Sequence, residues 1–334
     1  MTFGSVARAL PSIPQPMWWA ARALRRETLG FRFDYPLEEV PAAGPKEALH
    51  YYVYSDRLFF DAMYLDAQGI PVHHSRTFEA HNPAYVAWYG LVNLERFLRH
   101  GNVPSRSAFL NQIAWLERNG VRRPDRSVVW EYDFDWREGP CFLKRPWISA
   151  LAQGLAISAL VRAYRMTGEA RLLDLGRDAT KVFESDVRDG GLRTTENGRV
   201  LYEEYPGYPP PRVLDGFLFS LLGLYDLFTQ TGDSRVFRLF GEGMEGLKHT
   251  LPFWDYRGKW SWYGPRSYLC PPQYNKLNSV LVRSLARVSD SPELRQYAEK
   301  WDPTRLPLLG RAEVFLWFLV TKNRSRLRHL WRAE

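Results

Sequence analysis

A chain of 334 residues is long enough for one large domain or two small ones, and it can bury a sizeable core. Its charged fraction of 25% is ordinary for a globular protein, whereas 15% aromatic residues, with 13 Trp and 18 Tyr, favour a sugar-stacking cleft over a nucleotide site. The formal charge of +8 calls for acidic partners; no nucleic-acid motif accompanies it, and no run of about 18 apolar residues would span a bilayer.

The first 30 residues contain Pro11, Pro14 and Pro16 with Arg22, Arg25 and Arg26, and they lack the apolar core and cleavage site of a secretory signal. Met17 to Leu29 is amphipathic enough to touch a membrane surface. Leu49 to Tyr64 then alternates aromatic and polar side chains ahead of a Gly69-Ile70-Pro71 turn. This pattern predicts one β-hairpin or small sheet, folded over the mouth of the domain that follows.

From residue 83 onward the pattern is helical and repeated. Pro83 to Arg99 and Ser105 to Asn119 form a first pair, with Ser105 suited to cap the second helix. Trp147 to Tyr164 leads through Thr167-Gly168-Glu169 to a run ending at Phe183. Val213 to Phe228 leads through Thr231-Gly232-Asp233 to a run reaching Leu247. A looser copy runs from Leu277 to Val288 and on to Trp301. Each break supplies a Gly or Pro stop followed by an acidic residue, as successive helix ends require. An amphipathic hairpin cannot bury its apolar face alone, so the copies must close around a shared core. The expectation is a mainly α fold: an incomplete (α/α)4 toroid with a small N-terminal β-hairpin or sheet. Residues 1–80 form an extension packed on it, 81–310 the toroid, and 311–334 a basic amphipathic helix.

Val128 to Trp136, Gly190 to Tyr205 and Trp254 to Tyr274 read as strand and turn, and each follows an outgoing helix. They therefore gather as β-hairpin loops on one rim of the toroid, where functional groups usually sit. On the second of them, Tyr202-Glu203-Glu204-Tyr205-Pro206 sets two carboxylates between two phenols. Read alone, the motif fits a wet loop edge as well as a catalytic one. The C-terminal stretch joins Phe315-Leu316-Trp317-Phe318-Leu319-Val320 to Lys322, Arg324, Arg326, Arg328 and Arg332. It reads as a last core helix with a solvated basic end, or as an interfacial helix on an anionic membrane.

With these elements placed, the chain resembles the D-glucuronyl C5-epimerase family, whose members convert D-glucuronate to L-iduronate within heparosan-like chains. The resemblance is carried by Ser149-Ala150-Leu151-Ala152-Gln153-Gly154, Tyr202-Glu203-Glu204-Tyr205-Pro206, Val213-Leu214-Asp215-Gly216-Phe217 and Gly223-Leu224-Tyr225-Asp226-Leu227. Leu251-Pro252, Tyr274 and Asn82-Pro83 with Tyr89-Gly90-Leu91 add to it. It implies that Glu204, Tyr205, Tyr263 and Tyr274 transfer protons, and that Arg266 holds the uronate carboxylate. Tyr202, Tyr89, Asn82, Gln153 and Asn278 are the further residues it places against substrate, although Asn82 and Tyr89 suit a helix start equally well. Asn275 and Asn278 stand where the family carries histidines.

These residue types suit the reaction. Removing the C5 proton α to a carboxylate leaves a dianionic, enolate-like intermediate, so the carboxylate must be neutralised. A guanidinium does this in bidentate fashion without ever losing its own proton. Inversion then needs acid–base groups on both faces of the ring. A neutral phenol is a ready acid, and a neighbouring cation would lower another towards use as a base. Either Tyr274 or Glu204 would abstract, and Tyr205 or Tyr263 would return the proton. The rival readings are a uronate-directed lyase and a non-catalytic glycan-binding protein.

The seven His and the isolated Cys141 and Cys270 have no metal-ligand spacing. No Gly-rich loop opens a helix after a strand, so no organic cofactor is expected; a structural calcium is left open. The expected partners are an anionic glucuronate-containing polysaccharide and an anionic membrane surface, without nucleic acid, with a homodimer left open. The expected location is cytoplasmic, peripheral at the inner membrane face.

Overall fold

The computed structural model describes residues 24–25, 28–40, 49–55, 63–75, 78–265 and 267–330. Arg266 and most of Met17 to Leu29 lie outside the described residues. Four helical hairpins follow one another: α1 (Pro83–His100) with α2 (Val103–Asn119), α3 (Ala150–Thr167) with α4 (Ala170–Ala179), α5 (Leu214–Thr231) with α6 (Ser234–Trp254), and α7 (Pro272–Val288) with α8 (Pro292–Lys300). The first helix of each pair packs against the first of the next, α1 on α3 on α5 on α7, with its own partner outside it. The result is a mainly α, incomplete (α/α)4 toroid.

Local chemistry sets the repeat. Gly101, Gly168 and Gly232 end the inner helices α1, α3 and α5 at φ of 64°, 76° and 68°, the left-handed conformation a Cβ would oppose. Asp233 and Ser291 cap the outer helices α6 and α8 through their side chains. The cap of α2 is Asn102 rather than Ser105. Its Oδ1 accepts the Ser105 N–H at 3.1 Å, so Ser105 lies inside the helix as the residue being capped. Where α3 meets α5, a Cβ on Gly154 would stand 2.5 Å from the Phe219 carbonyl oxygen. The two inner helices touch backbone to backbone because these positions have no side chain.

The N-terminal strands divide into two groups instead of one hairpin. β1 (Glu38–Glu39) pairs antiparallel with β2 (Val53–Tyr54), and this pair packs on α7. Tyr51, next to β2, meets Trp88 of α1 and Phe219 of α5 at ring distances of 6.3 and 6.5 Å. The segment thus fills the gap between the first and last inner helices. It does so away from the rim; the strand that reaches the mouth, bringing His73 to it, belongs to the second group, so the expected cover over the mouth is met by that part alone. The Tyr52 hydroxyl donates to Asp226 Oδ1 (2.7 Å), and Arg162 donates to Asp226 Oδ2 (2.6 Å) and to the His50 carbonyl (3.1 Å). Asp226 and Arg162 lie in the C-terminal halves of α5 and α3. β3 (Met63–Leu65), β4 (Pro71–His74) and β5 (Glu79–His81) make a separate antiparallel sheet. Residues 56–62, including Leu58 and Phe60, lie outside the described residues.

Four further hairpins follow the outer helices, as their positions in the chain required. They are β6 (Val121–Arg122) with β7 (Val128–Val129), β8 (Trp136–Glu138) with β9 (Cys141–Leu143), β10 (Arg193–Glu196) with β11 (Arg199–Tyr202), and β12 (Asp255–Tyr256) with β13 (Trp260–Ser261). The main core fills the toroid. A smaller one, containing Tyr256, Trp260, Leu269, Val314 and Phe318, sits beneath the last helix, α9 (Leu308–Leu330). No helix of the described residues is long and apolar enough to cross a membrane.

Candidate active site

The inner helices all start at the rim, and their first turns surround a cavity of about 220 Å³. Asn82 and Ser149, the residues that precede α1 and α3, line it, as do Asp215 in the first turn of α5 and Tyr274 in the first turn of α7. Converging helix N-termini present partial positive charge and favour an anion. Loop residues complete the walls: Glu138 at the end of β8, Glu204 and Tyr205 after β11, Tyr263 after β13, and His73 from β4.

Adjacent residues of the Tyr-Glu-Glu-Tyr-Pro motif take opposite directions. Glu203 turns inward, accepting from Thr194 Oγ1 (2.6 Å) and from the Arg212 N–H (3.2 Å). Its carbonyl accepts the Ala150 N–H (3.1 Å), which ties the loop to the first turn of α3. Burial pushes the Glu203 carboxyl up to about 7. Glu204 turns into the cavity instead, against the first turn of α5. There a Cβ on Gly216 would lie 2.5 Å from Glu204 Oε2, so only glycine admits the carboxylate. Oε2 is buried and has no hydrogen-bond partner. Burial first, and then the neighbouring Asp215 carboxylate, holds Glu204 well above the usual carboxylate range. Asp215 itself is pushed up to about 7 by burial, and the Gly216 amide serves both side chains. Burial likewise raises Glu138.

Three phenols share this space. Tyr205 stands against Trp147 and Trp136 at ring distances of 5.8 and 6.5 Å, and Tyr263 meets Tyr274 edge-on at 5.8 Å. Burial, together with the nearby carboxylates, pushes all three hydroxyls well above the ordinary phenol value. The expected lowering of one phenol is therefore not found. Glu204, Tyr205, Tyr263 and Tyr274 come together as expected, but the groups that titrate nearest neutrality are carboxyls. The phenols hold their protons.

Other expected substrate contacts lie elsewhere. Tyr202 belongs to the core, its hydroxyl donating to the Leu239 carbonyl at 2.8 Å. Gln153 is fully buried with its amide spent: it accepts from the Trp130 N–H and donates to the Val128 and Ala179 carbonyls. Asn278 donates to Ser261 Oγ (3.1 Å), and Asn275 braces Ser261 and the Trp301 carbonyl. Both asparagines face β13, whereas Tyr274 on the same helix faces the cavity. Asn82 does line the cavity, with Oδ1 committed to the Ala84 and Tyr85 N–H groups. Tyr89 is outside the lining, and Tyr85 and Trp88 occupy that wall. Asp215, Glu138 and Tyr85 were missed. The available signal for Asp215 was an acid in the first turn of an otherwise apolar helix.

A second cleft of about 590 Å³ adjoins the cavity and shares Glu138 and Tyr263 with it. Pro211, Arg212, Ser267 and Tyr268 line it, with Ser325 of α9. The Lys322 ammonium lies 3.4 Å from the Tyr268 ring centre. Among the described residues, no group of three or more His, Cys, Asp or Glu is arranged to hold a metal ion.

Fold and cavity together set carboxyls and phenols in one pocket of an α/α toroid. The pattern of the D-glucuronyl C5-epimerase C-terminus family matches residues 124–303, more than half of the chain, and the chain belongs to that family. The D-glucuronyl C5-epimerase of Caenorhabditis elegans is 32% identical over 213 residues, which cover 58% of this chain and 34% of the worm protein. The chain thus spans about a third of that relative. An uncharacterized protein of Methanocaldococcus jannaschii is 31% identical over 217 residues, covering 62% of this chain and 67% of its own length. Among solved structures, cellobiose 2-epimerase from Bacillus thermoamylovorans is 11% identical with a TM-score of 0.46, covering 85% of this chain and 71% of that one. A GH76 alpha-mannanase from Bacteroides thetaiotaomicron is 10% identical with a TM-score of 0.46, covering 80% and 78%.

Proposed function

We propose that this chain is a carbohydrate epimerase that inverts C5 of D-glucuronate to give L-iduronate within a heparosan-like polysaccharide. The observation that carries this reading is the meeting of Glu204, Asp215, Tyr205, Tyr263 and Tyr274 in one cavity at the N-terminal ends of the inner helices.

Glu204 is the base. It offers an unpartnered buried oxygen, and its raised proton affinity suits abstraction of a weakly acidic C–H. Asp215 is the less strongly raised of the two and carries the single charge the pair keeps near neutrality; by taking the Glu204 proton it leaves Glu204 ionised to abstract. A buried, neutral phenol on the opposite face returns a proton to C5. We assign that return to Tyr274, on a different inner helix from Asp215, or to Tyr263, whose ring it meets edge-on. Helix N-termini face the sugar carboxylate, and Arg266 is assigned to clamp it. Such preorganised donors contribute roughly 3 kcal/mol each to an oxyanionic transition state. The adjoining cleft has room for neighbouring sugars of a chain.

Incubation with N-acetylated and N-sulfated heparosan in heavy water, read by proton resonance at C5, tests the proposal. Deuterium entering C5 with iduronate appearing supports it. Absorbance of an unsaturated uronate would establish a lyase instead, and binding without exchange would leave a glycan-binding protein.

A further inference from the structure

Helix α9 carries two apolar faces, and the protein covers one of them. Val314 and Phe318 are buried against the small core, and Phe318 meets the Phe31 ring at 5.0 Å. Leu309, Leu316 and Val320 point outward, exposed to 86%, 60% and 56%, with the exposed Ala312 completing their stripe. Their spacing of seven and four residues keeps them on one side of the helix. Leu308 and Trp317 flank them. Five of the thirteen exposed large hydrophobic residues among those described are thus on this single helix.

Charge on the helix is one-sided. Its only acid, Glu313, lies on the side of the stripe, seven residues before Val320, and is neutralised there by Arg257 (3.1 Å), Lys259 and the Tyr256 hydroxyl (3.1 Å). Beyond the stripe the exposed Arg324 lies one turn after Val320, while Lys322 is turned to the Tyr268 ring. An apolar stripe that runs into a cation, with its one acid outnumbered by Arg257 and Lys259, is the pattern of a helix lying in a lipid headgroup region. A second copy of the chain fits less well. A two-fold contact would set this patch against itself, cations included, and its one carboxylate, Glu313, is already taken by Arg257 and Lys259.

We propose that α9 seats the protein on an anionic lipid surface, with Leu309, Leu316 and Val320 in the interface and Arg324 on the headgroups. This is independent of the reaction assigned to the cavity. Each cation at such a surface contributes about 1 kcal/mol, and the contribution is screened by salt.

The test is sedimentation of the full chain with phosphatidylcholine vesicles, with and without phosphatidylglycerol. Wild-type protein is compared with Leu316→Ser/Val320→Ser and with Arg324→Glu; the three positions are exposed, so helix content by circular dichroism should be unchanged. The wild type should pellet with the anionic vesicles only and be released by salt. The double variant should lose about tenfold or more in partitioning, as two apolar side chains no longer enter the interface, and Arg324→Glu should also bind less. Wild-type protein remaining in the supernatant with both vesicles overturns the proposal, as does a double variant that pellets like wild type. A dimer in solution that the same pair of substitutions dissolves would assign the face to a second copy, and also overturns it.

Discussion

At Gly216 the backbone of α5 comes so close to the Glu204 carboxylate that no side chain fits between them, and the Asp215 carboxyl shares the same amide. The consequence is electrostatic. Each carboxyl is desolvated, and ionisation of one raises the cost of ionising the other. Replacing Asp215 by Asn keeps the size and removes that second charge. The part of the Glu204 elevation due to Asp215 then disappears, so Glu204 should ionise at lower pH. In a pH profile of C5 exchange, the limb that rises as the base ionises should move to lower pH in Asp215→Asn, with activity reduced about ten- to a hundredfold by loss of that proton acceptor. An unmoved limb would separate Asp215 from the base. Glu138, raised by burial and facing Lys322, and the phenols Tyr85, Tyr205 and Tyr274 remain around the pair in both proteins. Side-chain direction was what the sequence could not convey here. Glu203 and Glu204 are equivalent as letters, and only the antiparallel register of β10 with β11 sends one towards Thr194 and the other into the cavity.

Among the elements, the inner helices were legible because apolar periodicity and the Gly–acid breaks are local signals that tertiary packing then reinforces. The rim hairpins were legible by position, since each follows an outer helix. What failed was long-range pairing: β2 joins β1 across residues 41–48, and nothing local in Tyr51 to Tyr54 indicates that it wedges between α1 and α7. The substrate contacts assigned to Gln153 and Tyr202 failed for a related reason. A polar side chain in a motif can be spent on its own scaffold, as Gln153 is on three backbone groups. The same motif carries Gly154, whose role is packing. A methyl group there would press on the Phe219 carbonyl and the Ser220 Cα, backbone atoms that yield only if α3 and α5 separate. Gly154→Ala should therefore destabilise by about 1–3 kcal/mol or more despite its better helix propensity. Urea denaturation reads this directly, and a stabilised variant would show that the helices part at no cost.

Across the whole molecule, chemistry and closure occupy opposite ends of the same four inner helices. Their N-termini open on the cavity, while the C-terminal halves of α3 and α5 are locked by Arg162, Asp226 and residues His50 to Tyr52, which precede β2. An open arc of helices leaves an edge between its first and last members, and here a segment from before the first hairpin fills it. Arg162 holds that segment by charge: it pairs with the buried Asp226 and donates to the His50 carbonyl, while its guanidinium lies 4.8 Å from the Tyr51 ring centre. Substituting Met keeps much of the volume but strands the Asp226 carboxylate and unpairs the His50 carbonyl. Breaking one side of a buried ion pair typically costs about 3–5 kcal/mol, and the loss should be concentrated at this end. Arg162→Met should lower stability by that amount in urea, and hydrogen exchange should rise first at residues 49–55. Backbone amides around Glu204 and Gly216 should stay protected until global unfolding. If protection is lost at both ends together, the toroid is a single cooperative unit and the strand is no separable wedge; if it is lost only at 49–55, closure can be loosened without disturbing the site.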